Sequence, residues 1–141
     1  METIYKYRVL YADTDAMGVV YYGNYLRIYE AARGDFLQKV GMSFSKMANE
    51  LGVVCPVVNA EINYHRPAFL DDEITVKTKI VLLRGARMIF GQQIYNADNI
   101  LINDIKVTVA FVDKNKNRPV KYPDEFDNVM IKQDDPYSPK C

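Results

Sequence analysis

The densest set of side chains able to do chemistry lies in one stretch, Asp13-Thr14-Asp15-Ala16-Met17-Gly18-Val19-Val20-Tyr21-Tyr22-Gly23-Asn24-Tyr25. Asp13 and Asp15 stand about ten residues ahead of a helical pattern that opens at Asn24, and Gly18 lets the chain turn back between them. A loop of that form brings a carboxylate beside the first free amides of the helix. Those amides, with the positive end of the helix dipole, bind negative charge developing on an oxygen. One carboxylate that attacks or activates water, together with amides that hold the oxyanion, makes a minimal acyl-transfer site. The same residues also suit an ordinary turn, because aspartates beside turns cap nearby backbone N–H groups. Spacing leaves both readings open. Tyr21, Tyr22 and Tyr25 likewise suit core or interface packing as well as the wall of a substrate pocket.

The rest of the reactive inventory is sparse. The 141 residues include one histidine, His65, and two cysteines, Cys55 and Cys141, too few for a Cys/His zinc site in one chain. No metal or cofactor is expected. The serines are Ser43, Ser45 and Ser138; none sits in a G-x-S-x-G elbow, and no glycine-rich phosphate loop occurs. Lys and Arg number 18, as do Asp and Glu, so the formal charge is zero, against the basic excess of a nucleic-acid binder. No apolar run approaches the ~20 residues of a membrane span, and Met1 to Asp15 holds no secretory-type stretch. A cytoplasmic protein in a reducing compartment is the expectation. His65 reads as a surface or hydrogen-bonded structural histidine ahead of a catalytic one. Arg84 and Arg87 flank Gly85 at a hairpin, as phosphate contacts or as a solvated turn. Glu30 and Arg33 have i,i+3 spacing suited to pairing, and Cys55 reads as packing.

The elements that position these residues follow from periodicity. Residues 4 to 11 alternate, with Tyr5, Tyr7, Val9 and Tyr11 on one face, as in a strand. From Asn24 to Val40 the period becomes helical, with Leu26, Tyr29, Ala32, Phe36, Leu37 and Val40 on an apolar arc that also includes Arg33. Asn24 is the expected N-cap and Gly41 the stop. A short helix over Ser43 to Leu51 precedes Val53 to Tyr64, a strand that Pro56 marks as an edge or a bulge. Glu73 to Leu83, Arg87 to Tyr95 and Ile100 to Val112 are further strands joined by short links, hence antiparallel neighbours. The fold class is α+β, one long helix on an antiparallel sheet, with a domain over residues 1–121 and an extended tail over 122–141. Open sheet edges predict a homodimer with a continuous sheet.

The first block, continuing through Tyr25-Leu26-Arg27-Ile28-Tyr29-Glu30-Ala31-Ala32-Arg33, resembles the signature of hotdog-fold thioesterases. More narrowly, it looks like that of the 4-hydroxybenzoyl-CoA thioesterase-like acyl-CoA thioesterases. The resemblance returns at Tyr64-His65-Arg66-Pro67-Ala68-Phe69-Leu70-Asp71-Asp72-Glu73 and covers about residues 4 to 112. It implies a curved sheet wrapped around the long helix and hydrolysis of an acyl-CoA or acyl-carrier thioester. It also implies sites at a dimer interface and dimers pairing into tetramers. The family's catalytic aspartate falls on Asp15, its oxyanion donor on the Tyr22 backbone N–H, and a more often structural position on Asp13. Many bacterial members carry histidine where this chain has Tyr22, so any imidazole role there is lost while the backbone donor survives. Gly18, Tyr21, Asn24, Arg84 and Arg87 are the candidate substrate-binding residues. The chemistry needs no strong general acid, because a thiol leaves with a pKa of about 8.5. The alternative is a non-catalytic hotdog module that binds acyl-CoA or an acyl carrier. A hotdog dehydratase ranks last, since His65 lies in the wrong block for it.

Overall fold

The computed structural model describes residues 1–130. Strands β1 (Glu2–Arg8), β3 (Val57–Tyr64), β4 (Glu73–Arg84), β5 (Arg87–Tyr95) and β6 (Leu101–Ala110) form one antiparallel sheet in the order β1-β4-β5-β6-β3. Its inner face carries alternate residues of each strand, among them Ile74, Val76, Ile80, Phe90, Ile94, Ile105 and Val107, all buried. Helix α1 (Asn24–Val40) lies on that face through Tyr25, Ile28, Tyr29, Ala32, Phe36 and Leu37. Phe36 meets Phe90 edge-on, with ring centroids 5.9 Å apart. Each of these large side chains adds roughly 1.5–3 kcal/mol by leaving water, so the helix is fixed by packing and its N-terminus is a rigid fixture. At the other end the chain stops at Gly41, whose φ of 78° suits only glycine comfortably, with its N–H on Gln38 O and Leu37 O.

Several expectations need correction. Gly23, not Asn24, is the N-cap of α1, and Asn24 is already helical. Leu26 is 46% exposed, while Tyr25 and Ile28 take core places; the helix is wedged closer to the β1–β4 side than its apolar arc indicates. Arg33 does not form an ion pair with Glu30 among the described residues. It is buried, and its Nη1 donates to Gln92 Oε1 at 3.0 Å. The last long strand ends at Ala110, and Val112–Asp113 (β7) instead joins a small second sheet with β2 (Val53–Val54) and β8 (Arg118–Pro119).

Pro56 separates β2 from β3, and β3 is an edge strand of the large sheet, as its proline suggests. The short helix (α2, Phe44–Lys46, continued by a π turn over Met47–Leu51) begins at Ser43, whose hydroxyl accepts from Lys46 N. Past residue 121 the chain folds back. Asp124–Phe126 forms a 3-10 turn leading into α3 (Asp127–Met130), and Phe126 is fully buried against Phe111. The remainder of the expected tail, 131–141, lies outside the described residues.

Candidate functional site

Asp15 opens a tight hairpin. Thr14 and Val20 bridge antiparallel, Asp15 N donates to Val19 O and Gly18 N donates to Asp15 O, both at 3.0 Å. Gly18 has a φ of 76°, and a Cβ built there meets nothing within 4 Å. It is glycine for its backbone angle, not for space. The Asp15 Oδ1 accepts from Met17 N at 2.8 Å, which leaves Oδ2 facing solvent. This hairpin is stitched to the segment ahead of β4: Val19 bridges Phe69, Val20 N donates to Ala68 O at 2.9 Å, and Leu70 N donates to Gly18 O at 3.3 Å.

Asp13 behaves differently. It is fully buried, and its Oδ2 accepts from Tyr7 Oη at 2.7 Å and from Leu10 N at 2.8 Å. Its Oδ1 accepts from Arg27 Nη2, one turn into α1. Its main-chain oxygen takes Tyr21 N and Asn24 Nδ2, each at 2.9 Å. One residue thus ties β1, the Asp15 hairpin and the start of α1 together. Burial first, and then the hydrogen bond to Asp13, pushes the Tyr7 phenol above its ordinary range, so Tyr7 stays a donor.

Above that anchor the helix begins. Among the described residues no protein acceptor takes the Tyr22 N–H, while Tyr22 O accepts from Tyr64 Oη at 3.1 Å. The Tyr64 ring centroid lies 6.2 Å from that of Tyr22 and 5.9 Å from that of Tyr25, and the Tyr21 ring lies tilted against Tyr22 with centroids 4.7 Å apart. Tyr25 Oη accepts from Ala68 N at 3.2 Å. Tyr21 and Tyr22 are exposed, so this aromatic cluster forms a surface wall around the helix N-terminus.

The fold therefore gathers Asp15, Gly18, Tyr21, Tyr22 and Asn24 about one anchor. Asn24 has its side-chain amide committed to Asp13 O. Arg84 and Arg87 stand apart. They face each other at the β4–β5 hairpin, while the Asp15 hairpin adjoins the opposite end of β4, where Val9 N donates to Asp72 O. Twelve residues of strand put roughly 35 Å between those ends in one chain. His65 Nε2 lies 2.6 Å from Asp104 Oδ2. Burial raises the Asp104 carboxyl, but hydrogen bonds from His65 and Asn63 outweigh it and hold the group below the usual range. Cys55 is partly buried with Sγ 4.0 Å from Met47 Sδ, and burial pushes its thiol up to about 12. Two contributors escaped the sequence-based list, Tyr64 and Arg27. Each is an exposed residue in a regular element, and only strand register and helix phase bring it to the loop.

No three His, Cys, Asp or Glu side chains among the described residues lie close enough to hold a metal ion. Nor is any described helix long and apolar enough to cross a membrane.

Comparisons with known proteins bear on this arrangement. Residues 9–130 match the family model described as the thioesterase-like superfamily. The chain is 40% identical over 116 residues, 82% of its length and 86% of the relative's, to the acyl-CoA thioester hydrolase YbgC of Escherichia coli O6:H1. Its structure superposes on that of a probable thioesterase from Bartonella henselae with a TM-score of 0.81. The two are 32% identical, over 87% of this chain and all of the other. It also superposes, with a TM-score of 0.83 over 91% of this chain and 97% of the other, on a 4-hydroxybenzoyl-CoA thioesterase variant complexed with 4-hydroxybenzoyl-CoA. At 20% identity that last likeness is one of fold alone.

Proposed function

The chain belongs to the thioesterase-like superfamily, with the hotdog fold, and is a thioester hydrolase; on that premise we propose that it cleaves acyl-CoA at the Asp15 hairpin. In this reading the thioester carbonyl oxygen accepts from the Tyr22 N–H at the start of α1. The partial positive charge of the helix terminus and a preoriented donor stabilise the oxyanion. Asp15 supplies the carboxylate, either attacking the carbonyl carbon or taking a proton from the attacking water. Either route gives a tetrahedral intermediate that expels the CoA thiolate, whose low basicity removes the need for a strong acid. After attack by Asp15 itself, water then cleaves the acyl-aspartyl anhydride to release the acid and restore the carboxylate. The single observation that carries the reading is the pairing of an exposed, half-committed carboxylate with an unclaimed main-chain donor, both fastened to buried Asp13.

The hotdog binding module without turnover is less well supported, because nothing in a binding role requires Asp15 Oδ2 to be left open. The reading includes a cytoplasmic homodimer through the β3 edge, where Val57 and Val58 are more than half exposed, with dimers pairing into tetramers. It includes CoA phosphates meeting Arg84 or Arg87 of a second subunit, since their own hairpin lies far from their own Asp15.

The test is thiol release from short, medium, long and aryl acyl-CoAs by the wild type and Asp15→Asn. A loss of at least ~100-fold in kcat/KM, about 2.7 kcal/mol of barrier, is expected. Undiminished turnover in the variant removes Asp15 from the mechanism. Single turnover in heavy-oxygen water then separates the two roles, since only nucleophilic attack leaves label in the Asp15 carboxyl group.

A further inference from the structure

Tyr64 closes β3, and its hydroxyl holds the carbonyl of Tyr22, the residue whose N–H is assigned to the thioester oxygen. Successive residues along an extended chain point to opposite faces of a sheet. The two neighbours of Tyr64, Asn63 and His65, therefore project from the face that α1 does not cover. There both meet Asp104 of β6. Asn63 Nδ2 donates to Asp104 Oδ1 at 3.0 Å, and His65 Nε2 lies 2.6 Å from Asp104 Oδ2. Asn63 and Asp104 are direct partners in the β3–β6 register. One carboxylate thus grips the residue before Tyr64 and the residue after it. The main chain is fixed beyond that point as well, since His65 N and Arg66 N both donate to Ile102 O, at 2.9 and 3.0 Å.

Asp104 is itself anchored. Its neighbour Asn103 points inward, is fully buried, and accepts from Tyr29 Oη of α1 through Oδ1. Consecutive residues of β6 therefore hold α1 on one face of the sheet and the end of β3 on the other. The contacts close a ring. It runs from α1 through Tyr29 to Asn103, from Asp104 to Asn63 and His65, and from Tyr64 to Tyr22, which leads straight back into α1. The His65 and Asp104 side chains are 43% and 33% exposed, and a pair that open contributes little to folding. Rate is far more sensitive than stability to such a grip, because about 1 Å of displacement at a reacting centre can cost up to roughly 100-fold.

We infer that Asp104 is a positioning residue for hydrolysis: by clasping Asn63 and His65 it fixes Tyr64, and through the Tyr64 hydroxyl it fixes the Tyr22 peptide that carries the oxyanion donor. The inference rests on the thioesterase reading, because that reading assigns the donor. Asp104 acts from the opposite face of the sheet and does not meet the substrate. His65, which takes no part in the chemistry, gains a duty as one of the two residues that Asp104 holds.

The experiment is a double-mutant cycle of Asp104→Ala and Tyr64→Phe. It measures kcat and KM on the acyl-CoA that wild type hydrolyses best, and follows the Tyr22 amide by NMR in protein isotopically labelled at its tyrosine nitrogens. Asp104→Ala should lower kcat about 3- to 10-fold and leave KM within roughly twofold. On the Tyr64→Phe background the same substitution should cost less than about twofold, because the hydroxyl it works through is gone. The Tyr22 resonance should move in Asp104→Ala in the direction it takes in Tyr64→Phe. An unchanged kcat in Asp104→Ala, or losses that multiply in the double variant, overturn the inference. Asp104→Asn keeps an oxygen for Asn63 and offers an N–H to the neutral His65 ring, so it should retain at least about half of the wild-type kcat. An Asp104→Asn variant as slow as Asp104→Ala counts against the clasp. Should Asp104→Ala not fold, His65→Ala and Asn63→Ala each remove one grip and should each give a smaller loss of kcat. That loss should again vanish on the Tyr64→Phe background, and its persistence there overturns the inference. Should wild type hydrolyse no acyl-CoA while the Tyr22 resonance still responds to Asp104→Ala, the thioesterase reading fails and the clasp stands. Turnover indifferent to Asp104 leaves the thioesterase reading and removes the clasp.

Discussion

Asp13 and Asp15 are two residues apart and chemically identical, yet the structure gives them opposite duties, and asparagine substitution should pull those duties apart. Asp13 is fully buried and accepts from Tyr7 Oη, Leu10 N and Arg27. Hydrogen bonds to a charged group contribute about 1.5–3 kcal/mol each, and removing the charge from a buried pair leaves its partners unmatched. Asparagine keeps one acceptor oxygen but turns an N–H₂ toward donors. The tyrosine hydroxyl can rotate to accept; arginine cannot. Arg27 is 56% exposed, so its share is discounted to about 1 kcal/mol or less. The sum for Asp13→Asn is a destabilisation of about 2–4 kcal/mol, equivalent to roughly 5–15 °C in Tm for a domain of this size. Asp15 is exposed with a single main-chain bond that asparagine can also accept, so Asp15→Asn should stay within about 0.5 kcal/mol of wild type while losing activity. Urea denaturation followed by tyrosine fluorescence or circular dichroism measures both, and thiol release is assayed in parallel. Asp13→Asn within 1 kcal/mol of wild type would refute the anchor argument, and so would an Asp15→Asn variant that unfolds as readily as Asp13→Asn.

Two further outcomes are expected. Tyr64→Phe removes the hydroxyl that holds Tyr22 O and leaves the ring contacts, so kcat should fall about 5- to 20-fold, on the order of 1–2 kcal/mol, with KM little changed; an unchanged kcat in steady-state assays removes Tyr64 from positioning the donor. Cys55, with its thiol pushed up to about 12, should resist iodoacetamide at pH 8 in the folded protein and react in urea, measured by mass spectrometry on a Cys141→Ser background. The sign follows from the raised value. The unfolded thiol ionises from about pH 8.5 upward while the folded one does not, so this group's contribution to stability is full below that pH and declines up to about 12.

Much of this molecule is written in local pattern. The alternation of Tyr5, Tyr7 and Val9, the helical period from Asn24 and the short links between later strands specify α+β with antiparallel pairing, because side-chain periodicity and loop length are local properties. The Asp15–Gly18 turn was legible for the same reason, since carboxylate capping and a left-handed glycine act over four residues. The family signature adds the expectation that Asp15 and the Tyr22 N–H work together. Local pattern could not say which aspartate is buried. That depends on Tyr7 from β1 and Arg27 from α1 converging on Asp13, contacts 6 and 14 residues apart in sequence. It misjudged Leu26 and Asn24, because the exact phase of α1 is set by the sheet beneath it. It could not distinguish an Arg33–Glu30 pair from what occurs, since Gln92 reaches Arg33 from a strand 59 residues away. Nor could it separate Arg84 and Arg87 from the hairpin at the far end of β4. Tertiary packing decides which of several possible partners each polar group meets, because the contacts that satisfy a buried charge come from wherever the fold brings a donor within 3 Å.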